Sequence, residues 1–285
     1  MRENVLVIGL GEVGLPIYKI IEESRRYLVY GIDLNEDVMR DLNQGKIPKR
    51  VDIMHICIPC FNAEKFVNVV SKYAKKYKPY LIIVNSTVPP QTTKQLSKKC
   101  PCGIVHSPVF GTHKSESYMK FEIKRWIKLI GGIDEESLEM AREHFRKVGI
   151  KTRIVKSSAE SELFKIMETT YAGWMIVFFQ EFHRLARYLN VDFIELIKVL
   201  GELNDVKLHK PIWYPDVIGG HCIMQNIDLL KQRCSSELLN FILRSNAKRK
   251  REIKNGEVAD EIEKVRVLFN KYWERLWSKW EEKRE

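Results

Sequence analysis

The stretch that most limits what this chain can become is its beginning. Asn4-Val-Leu-Val-Ile8 is a short apolar run rich in β-branched residues, and it opens directly into Gly9-Leu-Gly-Glu-Val-Gly14. A strand, a G-x-G-x-x-G turn and a helix starting near Leu15 and Pro16 form the fingerprint of a dinucleotide-binding βαβ unit. Gly9 makes the tight turn, Gly11 lets the backbone approach a pyrophosphate, and Gly14 lets the helix pack on the strand. Glu12 and Val13 complete the turn, which presents backbone N–H groups and a positive helix end to the phosphates. A second apolar run, Tyr27–Ile32, ends in Asp33. A carboxylate there accepts from a ribose 2′-OH and repels a 2′-phosphate, so NAD is the expected cofactor. The same kind of loop also serves S-adenosylmethionine, which stands as the alternative.

Further apolar runs at 52–58, 81–84, 103–106, 126–130 and 152–155 read as strands, with Pro59 closing the third and Asn85-Ser86-Thr87 following the fourth. Segments 36–44, 63–77, 92–99 and 135–148 carry helical spacing between them. Strands alternating with helices imply an α/β, doubly wound parallel Rossmann sheet over residues 1–156, with its ligand at the carboxyl ends of the strands. The pattern then changes. Residues 158–190 contain no proline and read as one long helix, followed by a helix at 192–203, a loop over 208–222 and a helix at 228–245. The expected organisation is therefore an all-helical dimerisation domain at 157–245 and a C-terminal amphipathic helix at 246–285. In that last helix Ile262, Val265, Phe269, Tyr272, Trp273, Leu276, Trp277 and Trp280 form one apolar stripe. The stripe is expected to pack on the body or on a second subunit, and with the long helix to build a two-fold homodimer.

Composition narrows the classes. The formal net charge of +11 on 285 residues suits an anionic small-molecule substrate, and its spread along the chain argues against nucleic acid. No apolar run is long enough to span a membrane, and the chain reads straight into a strand, so a cytoplasmic protein without a signal peptide is expected. Of the six cysteines, Cys57-Ile-Pro-Cys60 and Cys100-Pro-Cys102 suggest a shared zinc site. The topology argues against it, because the first pair follows a strand and the second precedes one, at opposite edges of the sheet. Reduced thiols and no metal are the expectation.

Five segments in order resemble the UDP-glucose/GDP-mannose dehydrogenase family: Gly9–Pro16, Asn85–Pro90, His106-Ser-Pro-Val-Phe110, Ala159-Glu-Ser-Glu-Leu-Phe-Lys165 and Gly219-Gly-His-Cys222. The resemblance runs from residue 1 to about 245. It implies two NAD-dependent oxidations of a sugar C6 alcohol, with a cysteine attacking the aldehyde and water releasing a thioester. By the same resemblance the nucleophile falls on Cys222, the oxyanion-stabilising lysine on Lys165, and a residue beside the nicotinamide on Thr87. A thiolate near a cation is coherent chemistry. The departures matter too. Val109 and His113 stand where the family has glutamates, Thr169 replaces an asparagine, and Gln225-Asn226 replace Lys-Asp. The family's third, nucleotide-gripping domain has no counterpart in this stretch. His113 is the one group left to act as a base. The expectation is an NAD-dependent dehydrogenase with an altered or smaller substrate and incomplete oxidation. The alternatives are an S-adenosylmethionine-dependent methyltransferase and a catalytically degenerate binding protein.

Overall fold

The computed structural model describes residues 2–42, 44–111, 113–206, 212–219, 222–256 and 258–282, without the side chains of 205–206 and 275–282. The chain divides into two compact units, Met1–Met167 and Glu168–Glu285.

In the first unit, β1 (Glu3–Ile8) is followed by α1 (Gly14–Glu23), β2 (Tyr27–Ile32), α2 (Glu36–Arg40), β3 (Ile53–Ile56), α3 (Ala63–Tyr77) and β4 (Leu81–Val84). Then come α4 (Thr92–Ser97), β5 (Gly103–His106), α5 (Glu116–Arg125), β6 (Lys128–Gly132), α6 (Glu135–Lys147) and β7 (Thr152–Ile154). The seven strands form one sheet in the order β2-β1-β3-β4-β5-β6-β7. Every residue of β3 and β4 is buried, as expected of strands covered on both faces by helices. Asn35, Asn62, Ser115 and Asp134 each cap a helix through a side-chain oxygen, so these starts are set locally.

The sheet is not wholly parallel. β6 runs antiparallel to β5, with Val105 opposite Gly132 and His106 opposite Gly131. The intervening α5 was not anticipated, and the reversal follows from where β6 begins. Lys128 Nζ donates to the carbonyls of Ser107 (2.9 Å) and Pro108 (3.2 Å), and the Ser107 hydroxyl donates to Leu129 O (2.7 Å). The start of β6 is thus held at the carboxyl end of β5, and it can only run back.

Polar groups are also built into the core of this unit. Asn85 Nδ2 donates to His55 Nδ1 at 3.0 Å and to the Ile83 carbonyl, so His55 carries its proton on Nε2. That proton is donated to His144 Nε2 at 2.9 Å, which leaves the His144 proton on Nδ1, an atom without a partner among the described residues. His106 Nε2–H donates to the Ser86 carbonyl (3.1 Å), while Nδ1 accepts from the Ser161 hydroxyl (2.8 Å). All three imidazoles are held neutral by burial.

The second unit is helical: the larger part of α7 (Ser158–Tyr188), then α8 (Phe193–Val206), α9 (Cys222–Lys231), α10 (Glu237–Lys254) and α11 (Ala259–Glu282). The single helix expected at 228–245 is two helices. Residues 232–236 interrupt it, and Ser236 caps the second through the Leu239 N–H. Gly173 is where α7 meets α9, since a Cβ there would sit 2.8 Å from Ile223 Cγ2. α11 packs within its own unit: Ile262 and Val265 are buried, the latter in a cluster with Phe179, Phe193 and Ile197. The Trp277 and Trp280 side chains lie outside the described residues. Arg249, fully buried, donates to His183 Nδ1 (3.1 Å) and the Gln180 carbonyl (3.0 Å), and His183 Nε2 in turn bonds Glu261. Among the described residues no helix is long and apolar enough to cross a membrane.

The buried bases make stability depend on pH. Burial pushes His106 and His144 down to about 3 from 6.5, and lowers His55 in the same direction. The unfolded chain therefore takes up these protons first, so their contribution is complete above pH 6.5 and is lost as pH falls toward 3. Each such histidine adds about 1.4 kcal/mol per pH unit to the slope. Lys128, lowered by burial to about 7 from 10.5, adds stability as pH rises from 7. Cys57, pushed by burial from 9 to about 12, works against it above pH 9. Urea unfolding should show stability falling below pH 6.5, and His106→Gln should flatten that limb.

Candidate functional site

The glycine loop is shaped by contact on one side and openness on the other. Gly9 sits at φ +86°, and a Cβ there would lie 3.0 Å from the Cys57 carbonyl. Its N–H donates to Ile32 O at 2.8 Å, as the Cys57 N–H does to Ile8 O, so the ends of β1, β2 and β3 are drawn together. A Cβ on Gly14 would stand 1.7 Å from the Gly9 carbonyl oxygen, so any side chain there collides with backbone. Gly11 differs, with no heavy atom within 4 Å of a Cβ. Behind it α1 starts at Gly14, with Val13 at the N-cap giving no side-chain cap and with no acidic residue in the first turn. Those are the conditions under which a helix start attracts an anion.

Asp33, half-buried after β2, has a role that sequence did not disclose. Its Oδ2 accepts from the Leu10 N–H at 2.6 Å and its Oδ1 from the Asn35 N–H at 2.8 Å. It therefore rivets the loop, and each oxygen keeps a further lone pair for a ribose hydroxyl. Glu12 is exposed, and its carboxylate lies 3.6 Å from His113 Nδ1, which brings His113 to the glycine loop. Pro59 is exposed just past β3. The Ser86 hydroxyl turns inward and donates to Ile58 O at 2.6 Å, clamping β3 to β4; Thr87, the next residue, is half-buried. The residues expected to hold a dinucleotide thus share the carboxyl edge of the sheet, and their open floor at Gly11 fits one.

Lys165 is half-buried on α7, with its Nζ 5.1 Å from the centre of the Phe110 ring, which Phe164 meets edge-on. Three residues earlier Glu162, fully buried, was not singled out from sequence. Its Oε2 accepts from the Gln91 N–H (2.6 Å), and its Oε1 from the Thr93 N–H (2.7 Å) and hydroxyl (2.6 Å). This carboxylate satisfies the start of α4 and so fixes the turn that follows Thr87. Val109 is buried in the core cluster, so the position where the family resemblance expects an acid faces apolar neighbours instead.

In the second unit, Cys222 is exposed at the first position of α9 and is in no disulfide. Gly220 and His221 lie outside the described residues. Asn246, missed by sequence reading, holds the approach to this loop with two bonds: its Oδ1 accepts from Ile218 N–H (2.8 Å) and its Nδ2 donates to Ile218 O (3.2 Å). One turn after Cys222, Asn226 Nδ2 donates to the Thr169 hydroxyl at 2.8 Å. Two of the three positions on these helices that depart from the family pattern therefore touch each other, and both are neutral. Among the described residues no group of His, Cys, Asp or Glu is arranged to hold a metal ion.

Comparison with known proteins agrees with this geometry. Residues 159–250 match the central domain of the UDP-glucose/GDP-mannose dehydrogenase family. A UDP-N-acetyl-D-mannosamine dehydrogenase of Methanocaldococcus jannaschii is 27% identical over 261 residues, covering 78% of this chain and 60% of that protein. The chain thus spans about 60% of the length of the first curated relatives it matches. Among solved structures, a UDP-D-ManNAc dehydrogenase of Pyrococcus horikoshii superposes with a TM-score of 0.74 at 21% identity, over 92% of this chain and 72% of that one. The 3-hydroxyisobutyrate dehydrogenase of Mycobacterium tuberculosis superposes with a TM-score of 0.64 at 14% identity, over 94% and 99%. These likenesses fix the architecture: a Rossmann-type unit followed by a helical one.

The two inner glycines should separate cleanly by experiment. Gly14→Ala should lower unfolding free energy by more than about 2 kcal/mol, because the clash is with backbone. Gly11→Ala should melt where the unmodified protein does, yet show a smaller thermal shift with NAD.

Proposed function

We propose that this chain is an NAD-dependent dehydrogenase acting on an anionic substrate related to nucleotide sugars. The observation that carries the reading is the open backbone at Gly11, before an uncapped helix start and beside the Asp33 carboxylate. Gly9–Gly14 would hold the pyrophosphate, Asp33 the adenosine ribose, and Ser86, Thr87 and Pro59 the nicotinamide end. When bound, the oxidised nicotinamide supplies a hydride acceptor. The relatives are dehydrogenases, and no structural observation favours S-adenosylmethionine over NAD.

For the chemistry, the reading assigns Cys222 as the nucleophile that adds to an aldehyde carbon, with Lys165 countering the charge on the resulting oxygen. The Thr169–Asn226 hydrogen bond puts two neutral groups where the family resemblance calls for a carboxamide and a carboxylate. Neither takes a proton from water at neutral pH, so a thioester on Cys222 would outlast the oxidation. With a suitable aldehyde, NADH should therefore appear as a burst near one equivalent per site and then slow. Cys222→Ser should abolish the burst and leave NAD binding intact. Sustained turnover by the serine variant would overturn the assignment. Such a thiolate chemistry suits a reducing, cytoplasmic setting.

The same reading includes a two-fold homodimer. Tyr171, Trp174, Phe178, Phe182 and Leu185 recur at spacings of three and four along α7 and are all substantially exposed. α11 is already packed inside its own unit, so a second copy of α7 is the partner that would cover this face. Sedimentation at micromolar concentration should give the dimer mass, and Phe178→Glu should give the monomer.

A further inference from the structure

The edge of the sheet opposite the glycine loop carries a second concentration of charge. Arg50 precedes β3, Lys78 and Tyr80 precede β4, and Lys99 precedes β5, while Lys75 comes from the last turn of α3. Because β3, β4 and β5 are parallel neighbours, their leading loops converge, and these residues line a cavity of about 430 Å³. Its floor includes the buried Ala74 and Cys100, and neither Asp nor Glu is among its lining residues. Small-molecule sites typically enclose about 300–1,000 Å³, so the space is of ligand size.

The cations are partly pre-arranged. The Arg50 guanidinium carbon lies 4.1 Å from the centre of the Tyr80 ring, a cation–π contact that restrains the side chain. Lys99 Nζ donates one hydrogen to Asn68 Oδ1 at 2.7 Å, a bond that uses one of its three donors. Lys78 holds a left-handed backbone at φ +44°, a position where glycine or asparagine is the usual choice.

Two helices, α3 and α4, end here, and each contributes roughly half a negative charge. Against four cations that leaves a clear positive excess. Pairing with a helix end accounts for Lys75, but not for Arg50, which lies on a loop with no helix terminus.

We propose that this cavity is a second anion site, taking a small-molecule polyphosphate, free or carried on a nucleotide, through Arg50, Lys78 and Lys99. It is separate from the glycine loop and independent of the proposed dehydrogenase activity.

Calorimetric titration of inorganic tripolyphosphate into the full chain tests it. Saturable binding that weakens steeply with added salt is expected. The double reversal Lys78→Glu with Lys99→Glu should weaken it at least about tenfold, the scale of losing charge-assisted hydrogen bonds. Gly11→Asp, which puts a carboxylate into the glycine loop where there is room for one, should leave unchanged the binding component that the double reversal weakens. Melting without ligand checks that each variant folds; if the double reversal does not, Arg50→Gln on its exposed loop should still weaken binding severalfold. ATP binding more tightly than tripolyphosphate would identify a nucleotide-borne ligand, and equal affinities a free one. The proposal is overturned by absence of saturable binding at millimolar tripolyphosphate, by affinity unchanged in the charge variants, or by loss confined to Gly11→Asp.

Discussion

The contact on which the first unit depends is between a missing side chain and a carbonyl. A Cβ on Gly14 would lie 1.7 Å from the Gly9 oxygen, so α1 can leave β1 at this angle only while residue 14 has none. That angle brings the start of α1 to the carboxyl edge of the sheet. It also seats Ile17, Ile20 and Ile21 against the sheet, where they join Val5, Val7 and Leu81 in the core. One packing constraint thus fixes both the hydrophobic interior and the position of the open loop at Gly11.

Buried polar groups then decide connections that apolar packing leaves open. A fully buried carboxylate or ammonium is tolerated only with hydrogen bonds that replace water. Glu162 has three, all to the start of α4, and Lys128 has two, both to the carbonyls after β5. Glu162 ties α7 to the start of α4, and Lys128 ties the start of β6 to the end of β5. The same logic holds in the helical unit, where Arg249 joins α10 to α7 and His183 joins α7 to α11. Removing any one of these partners would leave a charge or donor in a dry interior, which costs more than the bond itself contributes.

How much of this could be read in the sequence follows from the range of each signal. The seven strands and the long helix were legible because periodicity and glycine punctuation are local. Strand direction is not local: β6 reads as an apolar run either way, and only the bonds of Lys128 show that it reverses. α5 escaped notice because its exposed Phe121 and short span blur the helical stripe. The break at 232–236 looks like helix in composition and declares itself only through the Ser236 cap. At the site, the glycines, Asp33 and Cys222 were visible as motifs. The roles of Glu162 and Asn246 were not, because their partners lie tens of residues away and a buried Glu or Asn looks like a surface one in a list of letters. The Thr169–Asn226 contact is the most instructive. Two separate departures from the family pattern turn out to be one, a matched neutral pair in place of another pair.

Asp33 joins two functions in a single carboxylate. The oxygen that accepts from the Leu10 N–H anchors the loop to the end of β2, and the same group stands where a ribose would be recognised. Under the proposed reading, selectivity for one dinucleotide over another would be mechanically coupled to the order of the loop itself. A neutral replacement that admitted a 2′-phosphate would also release Leu10 from its anchor. Under that reading, a change of cofactor preference at position 33 would need a compensating donor–acceptor pair elsewhere in the loop.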